Sequence, residues 1–140
     1  MDYKEIVANQ LPMDEGMVPH AYQDSEGWWT IGVGHLIDER KGGKLRSDEI
    51  ALILRNDIAE ADKAARAVFP AFDSLSEPRK AVLVNLAFNM GQTRLSGFVK
   101  MLGAMADGKF DLAADEMLNS RWATQVGARA QRLSAAMRQG

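Results

Sequence analysis

Apolar residues recur at helical spacing along most of the chain and at a period of two along one short segment. From Ser47 to about Phe69 the apolar positions Ile50, Ile53, Leu54, Ile58, Ala61, Ala65 and Val68 share one face of a helix. Ser47 reads as its N-cap, with Asp48 and Glu49 in a first turn that the helix dipole favours. Asp57 falls on the inner stripe, where a charge is costly without a partner. Downstream the pattern is all helix. Ser76, Glu77 and Pro78 open a helix that ends near Met90, with Gly91 as its stop. Further helices follow over 95–106, stopped by Gly108, over 111–118 and over 127–138. Residues 2–11 read as a short helix at the other end. Pro12 ends it, or kinks it on the way to Glu15, because proline removes a donor and disfavours helix in the residue before it. Gly16 is a natural stop at C′.

Residues 21–37 read as a small sheet, with the "DSEG" of 24–27 as turn chemistry between extended pieces. In "WWTIGVGH" the period is two. Trp28, Thr30, Gly32 and Gly34 share one face, and Trp29, Ile31, Val33 and His35 share the other. Two glycines on one face mark a close approach to the backbone, or else a bulge or crowded packing contact. "DERKGGK", residues 38–44, reads as an exposed turn. The chain thus reads as one α+β domain, 1–140, predominantly helical. A small lobe with a short antiparallel sheet covers about 12–46, a connecting helix 47–69 and a helical lobe 70–140, with helix 2–11 packed near the last. A ligand is expected in the cleft between lobes.

Composition narrows the setting. At 140 residues the chain can bury a core without staples, and it has no cysteine, as suits a reducing cytoplasm. No apolar run is long enough to span a membrane, and "MDYKEIVANQ" is not a signal peptide. Charge is uneven: residues 1–69 carry 8 Lys and Arg against 13 Asp and Glu, whereas 70–140 carry 9 against 6. After Glu116 come four arginines and no acid, so the basic end is either a solvated helix face or a site for an anionic partner.

His20 and His35 lack metal-ligand spacing, and no phosphate-binding loop is present. No metal, no cofactor and no nucleic acid are expected. Carboxylates remain. Glu15 stands at a helix C-terminus, where the dipole favours its protonated form, as a general acid requires. Asp24 stands in a polar turn that favours the ionised form. Two carboxyls driven apart in this way across a cleft suit glycosidic bond hydrolysis. Spacing alone does not distinguish them from any other Glu and Asp.

The wording of the segment does. Glu15-Gly16, Tyr22, Asp24, Glu26-Gly27 and "TIGVGH" closely resemble the catalytic signature of phage-type lysozymes, the endolysins of glycoside hydrolase family 24. "FNMG" at 88–91, Gly97-Phe98, "SRW" at 120–122 and "RAQR" at 129–132 resemble that family's helical landmarks in the same order, so the likeness covers nearly the whole chain. The stretch from His35 to Asp57 is shorter than in longer members. The resemblance implies a lysozyme-like fold and a muramidase acting on the β-1,4 bond between N-acetylmuramic acid and N-acetylglucosamine of peptidoglycan. Glu15 would be the general acid, and Asp24 and Thr30 would position water, with inversion of configuration. Gly34, Leu36, Phe88, Asn89 and Arg129 would line the substrate cleft, Arg129 also pairing with Glu15. His35 and Asp57 would form a structural ion pair. Each has a plainer reading: Arg129 as the exposed start of the last helix, Asn89 as a helix C-cap, Phe88 as core. Trp122 and the methionines of "MLGAM" read as core. The resemblance also implies a monomer held in the host cytoplasm until a separate holin-like protein releases it to the wall in the periplasm, without membrane insertion. A lytic transglycosylase on the same bond and a non-catalytic wall-binding module are the alternatives. Arg132 and Arg138 offer a further attraction to anionic envelope surfaces.

Overall fold

A computed structural model of the protein describes residues 1–23, 25–26, 29–36 and 45–140; for 19–23, 29, 35 and 36 only the backbone is described. Its class is α+β and predominantly helical. Helix α1 (Tyr3–Glu15) leads into strands β1 (Val18–Gln23), β2 (Trp29–Gly32) and β3 (His35–Leu36). Six helices follow: α2 (Ser47–Val68), α3 (Glu77–Ser96), α4 (Val99–Ala106), α5 (Phe110–Leu118), α6 (Arg121–Val126) and α7 (Ala128–Gln139). The sheet has the order β1-β2-β3 and is antiparallel throughout. The β1–β2 register slips by a bulge between Val18 and Tyr22.

Helix α1 does not stop at Pro12. Asp2 accepts from the Glu5 N–H at 2.9 Å and Glu5 accepts from the Asp2 N–H at 3.1 Å, so a capping box fixes the first turn. The Gly16 N–H reaches the Pro12 carbonyl at 3.0 Å and closes the last turn. The proline therefore lies inside the helix, which the packing of Val7 and Leu11 into the core carries through it. Helix α2 begins one residue earlier than expected, at Ser47 itself. Arg46, not Ser47, is the N-cap, and its N–H is taken by Glu49 Oε2 at 2.9 Å. The α2 stripe is buried at Ile50, Ile58, Ala61 and Ala65, joined by Asp62.

Ser76 caps α3 as the sequence suggests, accepting from the Arg79 N–H at 3.4 Å. Gly91 breaks the helix with φ 82°, and a further turn resumes beyond it to Ser96. The helix expected over 95–106 is consequently split, with Leu95 and Ser96 ending α3 and α4 starting at Val99. Helix α6, which the periodicity does not announce, is capped by Ser120 accepting from the Ala123 N–H at 3.2 Å. Gly127, φ 57° and ψ −114°, then turns the chain into α7.

One apolar core joins the helices. Leu83, Leu86, Leu95, Met117, Leu133 and Met137 have no exposed surface, and Val7 and Leu11 of α1 are buried among them. Met101, Met105 and Trp122 are core, as read. The first helix in the chain is thus anchored on a later one: the Glu77 carboxylate takes the Tyr3 N–H at 2.6 Å, and the Tyr3 ring meets Phe72 edge-on at 5.3 Å. This places the C-terminus of α1, with Glu15, between α3, α7 and the sheet.

Candidate active site

Glu15 is the last residue of α1, and Gly16 leaves the helix with φ 76° and ψ 161°, a region closed to side chains. The acid is held from α7. Arg129 Nη1 donates to Glu15 Oε1 at 2.8 Å. Arg129 is 7% exposed, so it is not the solvated start of a helix. Its Nε and Nη2 donate to Asn85 Oδ1 at 3.1 and 2.8 Å. Asn85, wholly buried in α3, in turn donates from Nδ2 to Gln10 Oε1 at 3.0 Å and to Asp14 Oδ2 at 3.3 Å. The Asp14 side chain is also wholly buried. It lies 3.4 Å from Arg129 Nε and accepts from Arg132. Gln10, Asp14 and Asn85 are surroundings of Glu15 that sequence reading missed, and Arg132, read as an envelope contact, joins them. A trace was there: Asn85 interrupts the apolar run Ala81–Ala87, and a polar residue in such a run needs partners.

The β2–β3 connection presses on the acid from the other side. The two-residue period does not carry through it. Gly32 and Gly34 have φ 66° and 68°, so the extended strand ends and the chain turns back, pairing Ile31 with His35. The shared glycine face expected from 28 to 34 therefore does not exist; the glycines are there to turn. One of them is also a close approach. A Cβ on Gly34 would lie 3.0 Å from Glu15 Cγ and 3.1 Å from its Cδ and Oε2. Thr30 is 4% exposed in β2.

Beside this contact lies a hollow of about 360 Å³, walled by Gly34, Asp57, Glu60, Ala61, Phe88 and Gly91. Phe88 is half-buried in that wall, rather than plain core. Asn89 neither caps its helix nor has its carbonyl oxygen free, because Oδ1 accepts from Trp122 Nε1 at 2.8 Å. Asp24 and the side chains of Leu36 and His35 lie outside the described residues. So does the expected pairing of His35 with Asp57. Arg132 and Arg138, the two arginines offered for the envelope, are both engaged within the fold. Arg132 is engaged by Asp14, and Arg138 by Asp115 at 2.6 Å and Asp111 at 3.6 Å.

Among the described residues no cluster of three or more potential ligands could hold a metal ion. No helix among them is long and apolar enough to cross a membrane. What the arrangement can do is hold one carboxyl group in a fixed position, by a buried guanidinium on one side and a bare backbone on the other, at the edge of an open hollow.

Comparison with known proteins matches residues 13–139 to the phage lysozyme family. "Probable T4-type lysozyme 1" of Dictyostelium discoideum is 28% identical over 160 residues, covering 96% of this chain and 94% of its own. The pre-baseplate central spike protein Gp5 of Enterobacteria phage T4 is 28% identical over 153 residues, covering 91% of this chain and 27% of its own. A SAR-endolysin of Haemophilus phage HP1 is 32% identical over 95 residues, covering 68% of this chain and 48% of its own.

Proposed function

The chain belongs to the phage lysozyme family and is a lysozyme-type hydrolase, and we propose that it is a muramidase cleaving the β-1,4 bond from N-acetylmuramic acid to N-acetylglucosamine. Glu15 gives its proton to the glycosidic oxygen as the bond to the sugar's anomeric carbon breaks. A water attacks that carbon from the opposite face and passes its proton to Asp24, with Thr30 holding the water in place. The configuration inverts. Inversion requires space for the water, hence a separation of about 6.5–9.5 Å between the carboxyl groups. Gly34, Leu36, Phe88, Asn89 and Arg129 belong to the cleft, and His35 with Asp57 to its support.

The observation that carries this reading is the holding of Glu15. A general acid must stay where the glycosidic oxygen arrives, and a fixed donor is worth orders of magnitude in rate. The Arg129 bond at 2.8 Å and the Gly34 backbone against the Glu15 side chain supply that restraint. The domain division follows the same plan: one domain, 1–140, whose small lobe (about 12–46) and helical lobe (70–140) are joined by α2 and enclose the cleft. The biological setting we propose is a monomer kept from its substrate in the host cytoplasm until a holin-like protein admits it to the wall, causing lysis.

The test is turnover of purified peptidoglycan by the wild type, Glu15→Gln and Asp24→Asn, with mass analysis of the released ends. Reducing ends, lost in both variants, are the expected result. Anhydro ends lost only in Glu15→Gln would make the protein a lytic transglycosylase. Folded protein that binds wall and releases nothing would make it a binding module.

A further inference from the structure

The cluster around Glu15 holds one buried acid that the proposed reaction does not use. We infer that Asp14 is a positioning residue whose charge lets Glu15 carry its proton while Arg129 stays buried. The inference rests on the reading of Glu15 as general acid.

Arg129 is 7% exposed and remains charged at any relevant pH. If Glu15 were its one anionic partner, protonating Glu15 would strand a buried guanidinium. That is among the costliest states a protein interior can hold. Such an acid would shed its proton, yet a general acid must have one to give. Asp14 removes the conflict. The guanidinium is divided between two sides: Nη1 points to Glu15 at 2.8 Å, while the Nε edge faces Asp14 Oδ2 at 3.4 Å and Asn85 Oδ1 at 3.1 Å. When Glu15 becomes neutral, the second side still holds an anion and an amide oxygen.

The local sequence makes this division possible. Asp14 and Glu15 are consecutive on the last turn of α1, so their side chains leave the helix about 100° apart. One turns into the α3–α7 interior, where its side chain is wholly buried. The other keeps 23% of its surface, against the β2–β3 turn. Asn85 fixes the pair by accepting twice from Arg129 and donating to Asp14 at 3.3 Å. Arg132 closes the cluster as a half-exposed donor to Asp14. Arg129 and Arg132 from α7 and Asp14 from α1 bring charge to this corner. Asn85 from α3 and Gly34 from the turn bring none, and α2 presents Asp57 and Glu60 across the hollow.

The experiment is the pH profile of kcat/KM on purified peptidoglycan, read at the alkaline limb, where a general acid loses its proton. In Asp14→Asn, an isosteric change, the limb moves to lower pH, since an anion has been removed beside the acid. Arg132→Gln, at a half-exposed position, moves it the other way. The double variant, which removes one charge of each sign, returns the limb towards the wild type. A purely structural Asp14 would lower activity at every pH without moving the limb, and the double variant would then be no better than the single. Unmoved limbs in Arg132→Gln and in folded Asp14→Asn overturn the inference. If Asp14→Asn does not fold, the direction of the Arg132→Gln shift decides alone. Glu15→Gln separates the two claims: if it stays active, the reading of Glu15 fails; if it is dead and the limbs are unmoved, the inference alone fails.

Discussion

Replacing Gly34 by alanine tests the restraint on the acid at a single atom. The new Cβ would sit 3.0 Å from Glu15 Cγ and 3.1 Å from Cδ and Oε2, closer than carbon atoms pack. It would also hold an alanine at φ 68°. The backbone term is about 1–2 kcal/mol. The crowding term is about 1–3 kcal/mol, since neither the turn nor the helix end can withdraw freely. Together they amount to about 2–5 kcal/mol, or a fall in Tm of roughly 8–20 °C at about 4 °C per kcal/mol. Gly108→Ala is the control. Gly108 has φ 71° but nothing within 4 Å of its would-be Cβ, so it carries the backbone term alone. The difference between the two melting curves isolates the contact with Glu15. If Glu15 yields instead, stability is spared and the carboxyl moves. A displacement of about 1 Å should lower kcat about 100-fold. Circular dichroism melts and release of reducing ends from peptidoglycan read both quantities. A Gly34→Ala protein that melts with Gly108→Ala and keeps its kcat would refute the claim that Gly34 confines the acid.

Other expectations follow from the same coordinates. Pro12→Ala supplies a donor that the proline ring denies to the last turns of α1, and should raise Tm by about 4–8 °C, for about 1–2 kcal/mol. The Asn89–Trp122 hydrogen bond of 2.8 Å predicts coupling. Asn89→Ala and Trp122→Phe should each lower stability in urea by about 1–3 kcal/mol, and the double variant should lose less than their sum. Full additivity would mean that the amide faces elsewhere. Glu77 is lowered from 4.5 by the Lys80 ammonium and then by the Tyr3 N–H. A lowered acid stabilises the fold above its unfolded value and loses that contribution as pH falls through its folded one. The stability gap between wild type and Glu77→Gln should thus be full above 4.5 and close as the pH falls below it through the lowered value. Tyr3 is raised from 10.0 by burial first and by the nearby Asp62 next. Its contribution is full below 10.0 and lost as pH rises through the raised value, so Tyr3→Phe should flatten the alkaline end of the stability curve.

The parts of the fold that were legible are those that local chemistry decides. The Ile50–Ala65 stripe, the Ser76 cap and the stop at Gly108 need only their neighbours in sequence. Helix α6 is not announced by the periodicity because six residues between Ser120 and Gly127 are too few to set a period. The Gly32–Gly34 turn was taken for strand because alternation records side chains, not φ, and two glycines have no side chains to alternate. Glu15, Arg129 and Gly34 are singled out by the wording of their segments, and the structure brings them together. Asp14 and Asn85 were not found. Their partners lie 118 and 44 residues away, on α7, and nothing near either residue in sequence names them. A buried polar network is a property of packing, and only its members' awkwardness in apolar surroundings shows in one dimension.

The span between Glu15 and Arg129 is 114 residues, from the first helix to the last. A ribosome adding about 5–20 residues per second needs roughly 6–23 s to cross it. Throughout that interval Asp14 has neither of its arginines, so α1 emerges with a charge that its resting place on α3 does not yet neutralise. The contacts of α1 with α3 can form first, but the pairing of Asp14 waits for α7. A chain stopped anywhere before α7 would lack the Arg129 bond to Glu15. The step that brings α7 into place therefore also ties the beginning of the chain to its end.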